Sequence, residues 1–210
     1  MADNYLEKRY EEVFGKGGGN HSGRPSLDTL LLKNRSYRGF DASYSVHPRQ
    51  LDSILAVNTR IGSGMNAQRL RFRAVCEPQE AAVVLSCIRL AGAHPEWGLP
   101  LPGTEPGAFI VVCGTTAENP VLDIDLGMSL QSMGLKAVEI GLGGVIVRNF
   151  DKAALRDGLS LPLEPLAVFA VGRPAEKIKL VTIHEGESHE YYRRDGIHYV
   201  PKLALEDIKL

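Results

Sequence analysis

Three short segments carry residues whose types and spacing could do chemistry. In "KNRSYRGFD", residues 33–41, Lys33, Arg35 and Arg38 lie close together and Ser36 adds a hydroxyl. An arginine fork matches the geometry of a phosphate, and a serine hydroxyl completes its shell. The alternative is a solvated turn whose cations interact with the end of the preceding helix. In "IGSGMNAQRLRF", residues 61–72, the small residues Gly62, Ser63 and Gly64 precede Met65, then come the side-chain amides Asn66 and Gln68, then arginines at 69, 71 and 73. Paired amides offer donors beside acceptors, which suits a flat heterocycle with an N–H next to a C=O. The arginines also fit the wet face of an edge strand, with Leu70 and Phe72 turned inward. In "EIGLGGVIVRNF", residues 139–150, Gly141, Gly143 and Gly144 end a buried helix. Without a Cβ they either admit close approach of the backbone to a ligand or simply stop the helix in a tight turn. This is not a dinucleotide fingerprint, because Ile146 stands at the third glycine position and no strand precedes it.

The elements that must position these segments follow from periodicity. "NYLEKRYEEVF", residues 4–14, has helical spacing, and the glycine-rich stretch after it reads as a flexible connection. Residues 1–26 are thus an N-terminal arm and linker, and 27–210 the folded domain. A short helix runs to Lys33, and Pro48 and Pro78 suit the first position of two more. "RLRFRAVC" alternates as a strand, whereas "AFIVVCGT" and "LEPLAVFAVGRP" are continuous apolar strands with both faces buried. Residues 123–140 are expected to form a long helix capped by Asp123 or Asp125 and ended by Gly141. It is apolar on more than one face, so it needs cover on most sides, and a second copy of the chain would supply it. The last forty residues alternate turns, aromatics and charges. Uneven strand spacing rules out simple βαβ repetition and gives an α+β chain.

Composition narrows the partners. A formal charge of -1 over 210 residues gives no overall attraction to nucleic acid or to an anionic membrane, so any anion site is local. The start lacks the apolar core of a signal peptide and no run is long enough to span a bilayer, which makes a cytoplasmic protein the expectation. Cys76, Cys87 and Cys113 lack metal-type spacing and read as reduced core residues. "HEGESHE" lacks helical metal-site spacing and reads as a solvated loop, Ser63 lacks a nucleophile elbow, and no P-loop is present.

Together and in order, the motifs resemble the FMN-dependent nitroreductase family from about residue 27 to the end. "NRSYRGF" resembles its Arg-rich phosphate and ring motif, and "SGMNAQRLRF" its Ser-Gly-x-Asn-x-Gln segment. "DLGMSLQSMGLKAVEIGLGG" resembles its long dimer-core helix, "AVGRP" its late strand signature, and "YYRRDGIHYVPKLALEDI" the tail of a subgroup. The resemblance implies a central mixed, mainly antiparallel sheet flanked by helices, with the long buried helix at a homodimer interface. It implies two FMN sites built from both chains, NADH or NADPH as hydride donor, and a nitroaromatic or quinone-type electron acceptor. Arg35 and Ser36 would hold the phosphate, with Arg173 a further candidate, and Arg38 would lie near the pyrimidine end. Ser63, Gly64, Met65, Asn66 and Gln68 would cradle the ring, and Gly143 and Gly144 would add backbone contacts. No acid–base pair is needed, because the cofactor carries the chemistry. Where the family often has Pro and an aromatic after the glutamine, this chain has Arg69 and Leu70, which changes the pocket wall. Asn34 stands where many members are basic. Other flavin chemistry on the same scaffold, such as dehalogenation or oxidation, and a non-enzymatic phosphate-ligand binding protein are the competing readings.

Overall fold

The computed structural model describes residues 25–92 and 94–210. The helix expected over residues 4–14 lies outside the described residues. The first described helix, α1 (Leu27–Lys33), starts where the Ser26 hydroxyl accepts the Thr29 N–H at 3.2 Å. Then come α2 (Pro48–Leu55), β1 (Leu70–Val75), α3 (Pro78–Cys87), β2 (Ala108–Gly114), α4 (Pro120–Glu139), β3 (Gly143–Val147), α5 (Lys152–Gly158) and β4 (Glu164–Gly172). Pro48 and Pro78 both open their helices, as the sequence indicates, since a missing N–H costs nothing there.

The four strands form an antiparallel sheet in the order β1-β2-β4-β3. Every residue of β2 is buried, because the sheet is covered on both faces. Ile110 and Val112 pack with Leu51 and Ile54 of α2 and with Leu122, Leu126 and Met133 of α4. The alternate residues Phe109 and Val111 pack with Val84 of α3 and Leu155 of α5. Burying each such side chain contributes about 1.5–3 kcal/mol, so one continuous apolar strand anchors both helical layers. At the edge, Arg71 and Arg73 of β1 are exposed and Phe72 is half-buried, the expected edge pattern.

Helix α4 starts earlier than Asp123 and has a different cap. The Asn119 side chain accepts the Val121 and Leu122 N–H groups, with Pro120 in the first turn. Asp125, a candidate cap by sequence, lies inside the helix and is 3% exposed. Leu122, Leu126, Leu130, Met133 and Ala137 face the core, while Val121, Ile124 and Met128 stay exposed on one stripe.

The tail forms a second, three-stranded sheet in the order β5-β7-β6, from β5 (Lys177–Ile183), β6 (Tyr192–Arg194) and β7 (Ile197–Leu203). Strand β7 runs parallel to β5 and antiparallel to β6. An aromatic cluster fastens it: Trp97 stacks on His94 with centroids 4.3 Å apart, and Tyr191 stacks on His198 at 5.3 Å. Trp97 meets both Tyr191 and His198 edge-on. Such pairs contribute roughly 0.5–1.5 kcal/mol beyond the area they bury, which suits a small sheet with few buried aliphatics of its own.

Candidate functional site

The Arg35–Arg38 segment lies along the edge of the main sheet. Ser36 makes a parallel bridge to Gly144, and the Tyr37 N–H donates to the Gly144 carbonyl at 3.1 Å. A Cβ on Gly143 would fall 2.6 Å from the Tyr37 ring, and one on Gly144 2.4 Å from the Ala170 carbonyl oxygen. The close approach that these glycines permit is therefore taken by the protein's own Ser36–Tyr37 segment and by β4. Glu176 receives the N–H of Arg38 and, at 3.3 Å, that of Gly39, and its other oxygen pairs with Arg193 at 2.8 Å.

This arrangement carries Arg35, Ser36 and Arg38 to one wall of a cavity of about 310 Å³. The other wall is the tail sheet, which supplies Tyr191, His198 and Lys202. The Arg38 guanidinium lies 5.2 Å over the Tyr191 ring and donates to the Ser36 carbonyl at 3.2 Å. The Nε atoms of Arg35 and Arg38 and the Nδ1 of His198 are buried without a partner among the described residues. Burial lowers the pKa of both arginines. It also holds the His198 imidazole down at about 4, helped by the nearby Arg38 and Arg193 charges. Arg35, Arg38 and Lys202 thus line a cavity with no carboxylate among its described lining residues, Glu176 being paired with Arg193, and the local charge calls for an anion. Sequence reading found the first wall and missed the second, since no local motif links Lys202 to Arg35.

Arg173 is elsewhere. Its guanidinium covers the Tyr44 ring at 3.7 Å and its NH1 lies 3.7 Å from Asp41. His184 pairs with Asp207 at 2.9 Å in an exposed position, consistent with a solvated loop.

The amide segment is built separately. Residues Gly64–Asn66 form a single 3₁₀ turn, and Met65, Asn66 and Gln68 have φ of 55°, 53° and 48°. The Gly64 N–H donates to Asp125 at 2.7 Å, and the Gln68 N–H to the Ser63 hydroxyl at 3.2 Å. Asn66 and Gln68 stand side by side, with the Gln68 amide donating to Asn66 Oδ1 at 3.3 Å. Ser63, Gln68, Arg69 and Asp125 line a cavity of about 220 Å³ floored by Leu55 and Phe72. Met65 is 80% exposed.

One chain does not merge the two sites. The Asn34 amide bonds Gln131 at 3.3 Å and packs against Gly134, while Gly64 sits against Val121 and Asp125. From Asp125 to Gly134 is nine residues, roughly 14 Å along the helix and about half a turn around it. The exposed Val121, Ile124 and Met128 stripe runs past the amide segment, with Val121 against Gly64 and Met128 near Gly62.

The sequence profile of the nitroreductase family matches residues 31–173, which takes in all three motifs. The chain belongs to the nitroreductase family. Solved structures of the family share its fold at low identity. A nitroreductase family protein from Clostridium difficile 630 is 23% identical over 72% of this chain and 86% of its own, with a TM-score of 0.58. An FMN-dependent nitroreductase from Clostridium difficile R20291 is 19% identical over 72% and 89%, with a TM-score of 0.59. A variant of an FMN- and NADPH-dependent nitroreductase from Sphigopyxis sp. strain HMH is 19% identical over 72% and 89%, with a TM-score of 0.61. A comparison with curated proteins finds no match. Among the described residues, no helix of this nitroreductase family member is long and apolar enough to cross a membrane.

Proposed function

We propose that this flavin oxidoreductase binds FMN, takes hydride from NADH or NADPH, and reduces nitroaromatic or quinone-type acceptors in a ping-pong cycle. The observation that carries the reading is the cationic cavity: Arg35 and Arg38, each with a buried Nε that has no partner among the described residues, and the exposed Lys202 line a space that suits a phosphate monoester. A dianion there would receive charge-assisted bonds from Arg35 and Lys202 and the Ser36 hydroxyl. Arg38 shares that cavity, so we assign it to the anion end rather than to the pyrimidine edge. Ser63, Gly64, Met65, Asn66 and Gln68 would hold the polar edge of the ring, where adjacent amides supply donor and acceptor together. Gly143 and Gly144 act by seating Ser36 beside the phosphate. Arg173, held by Tyr44 and Asp41, has at most an indirect part. FMN, when bound, supplies the two-electron chemistry, and the protein contributes binding, orientation and exclusion of water.

The working form is a homodimer. The exposed stripe of α4 flanks the amide segment, and Gln131 and Gly134 further along the same helix hold Asn34 of the cationic segment, so a second copy docked along α4 would sit against both. Dehalogenation or oxidation on the same scaffold is the second reading. It is favoured by Arg69, which lines the amide-side cavity where the family often carries Pro and an aromatic. Denaturing the purified protein and weighing the released cofactor tests the first claim: FMN is expected, and FAD, or no flavin after reconstitution, refutes it. An acceptor screen with both nicotinamides separates the two chemistries.

A further inference from the structure

Asp125 is buried in the second turn of α4, with one carboxylate oxygen receiving the Gly64 N–H at 2.7 Å and the other without a partner among the described residues. It lines the amide-side cavity beside Ser63 and Gln68. The segment it grips is unusual. Met65, Asn66 and Gln68 all occupy the left-handed region, which asparagine tolerates but Met and Gln rarely adopt.

The other hydrogen bonds that hold this segment are internal to the stretch. Asn66 N–H donates to the Ser63 carbonyl, Ala67 N–H to the Gly64 carbonyl, Gln68 N–H to the Ser63 hydroxyl, and Arg71 to the Gln68 carbonyl. Arg71 belongs to the adjoining β1, so among the described residues the bond to Asp125 is the hydrogen-bonded tie from residues 64–68 to an element distant in sequence. Packing agrees with it: a Cβ on Gly64 would fall 2.3 Å from Val121 Cγ1, so the turn is pressed onto the first turns of α4 at that point.

We propose that Asp125 is a positioning residue that sets the amide edge of the flavin site, an inference that rests on the flavin reading above. By fixing Gly64 it holds the left-handed run that brings the Asn66 and Gln68 amides side by side. Because Val121, Ile124 and Met128 share α4 with it, the same tie joins the ring edge to the helix face that a second copy would cover.

Asp125→Asn keeps an oxygen acceptor for Gly64, and Asp125→Ala removes it. The first readout is amide hydrogen exchange in the ligand-free full chain. Asp125→Ala should speed exchange across residues 64–68 by roughly tenfold or more, the factor for losing one buried hydrogen bond, and leave residues 36–40 unchanged. The second is fluorescence titration with FMN and with lumiflavin, which keeps the ring and lacks the ribityl phosphate. Asp125→Ala should weaken both by a similar factor, again roughly tenfold, while Asp125→Asn stays close to wild type for both. Should Asp125→Ala not fold, Asp125→Val, which fills the space with apolar atoms, takes its place. Unchanged exchange and affinity in the alanine variant overturn the proposal, and so does an asparagine variant as impaired as the alanine one. A wild-type protein that binds neither flavin refutes the flavin reading itself, and the exchange result on ligand-free protein stands apart from that outcome.

Discussion

Replacing Arg35 with alanine should separate the phosphate from the ring in this site. Arg35 is half-buried, its Nε has no partner among the described residues, and it shares the 310 Å³ cavity with Ser36, Arg38 and Lys202. A hydrogen bond to a charged partner contributes about 1.5–3 kcal/mol, so Arg35→Ala should raise the Kd for FMN roughly 10- to 150-fold. Riboflavin, which lacks the phosphate, should bind the variant as it binds wild type. Lys202 is exposed, and exposed ion pairs contribute about 0.2–1 kcal/mol and are screened by salt. Lys202→Ala should therefore cost no more than about fivefold at low salt and little at high salt. Fluorescence titration of both flavins at two salt concentrations reads all of this. Equal losses for FMN and riboflavin in Arg35→Ala would refute the assignment of the cavity to phosphate.

Further outcomes follow from other parts of the fold. Ile124→Glu, at a position 63% exposed on α4, should convert a dimer to a flavin-poor monomer by light scattering, and a fully loaded monomer would contradict the interface. Arg38→Ala, measured with saturating FMN, should leave the reduction potential within roughly 30 mV of wild type, because Arg38 lies over Tyr191 on the anion side; a larger drop returns it to the ring. His198 is held neutral, its pKa lowered from 6.5 to about 4 by burial and by Arg38 and Arg193. The unfolded chain thus binds more protons across that window, so stability should fall as pH drops from 6.5 towards 4. Denaturant midpoints at pH 7 and pH 5 should differ less in His198→Asn than in wild type, and an equal difference would reject the link.

Much of the main sheet was legible because burial on two faces leaves a plain signature. "AFIVVCGT" and "LEPLAVFAVG" have no polar side to offer, and both became central strands. Arg71 and Arg73 marked an edge for the opposite reason. The start of α4 was misplaced because two aspartates looked like caps, while Asn119 before Pro120 is the one whose side chain reaches the free N–H groups. The tail sheet was not legible: its strands are largely exposed or half-exposed and tied by aromatics to Trp97, far away in sequence. For the same reason the partnership of Arg35 with His198 and Lys202 had no local sign. Gly143 and Gly144 were read as admitting a ligand or stopping a helix; the protein's own Ser36–Tyr37 segment and β4 take the space beside them, an outcome set by the register of Ser36 against β3, which spacing alone does not reveal.

The central claim, a flavin held by this chain and reduced by a nicotinamide, is tested most directly by the visible spectrum of the purified, FMN-reconstituted protein under anaerobic conditions. A bound oxidised flavin should give the yellow absorption bands of protein-held FMN, and addition of NADH or NADPH should bleach them. Addition of a quinone or nitroaromatic should then restore the colour. A protein that stays colourless after reconstitution, or one whose bound flavin neither nicotinamide bleaches, would contradict the account.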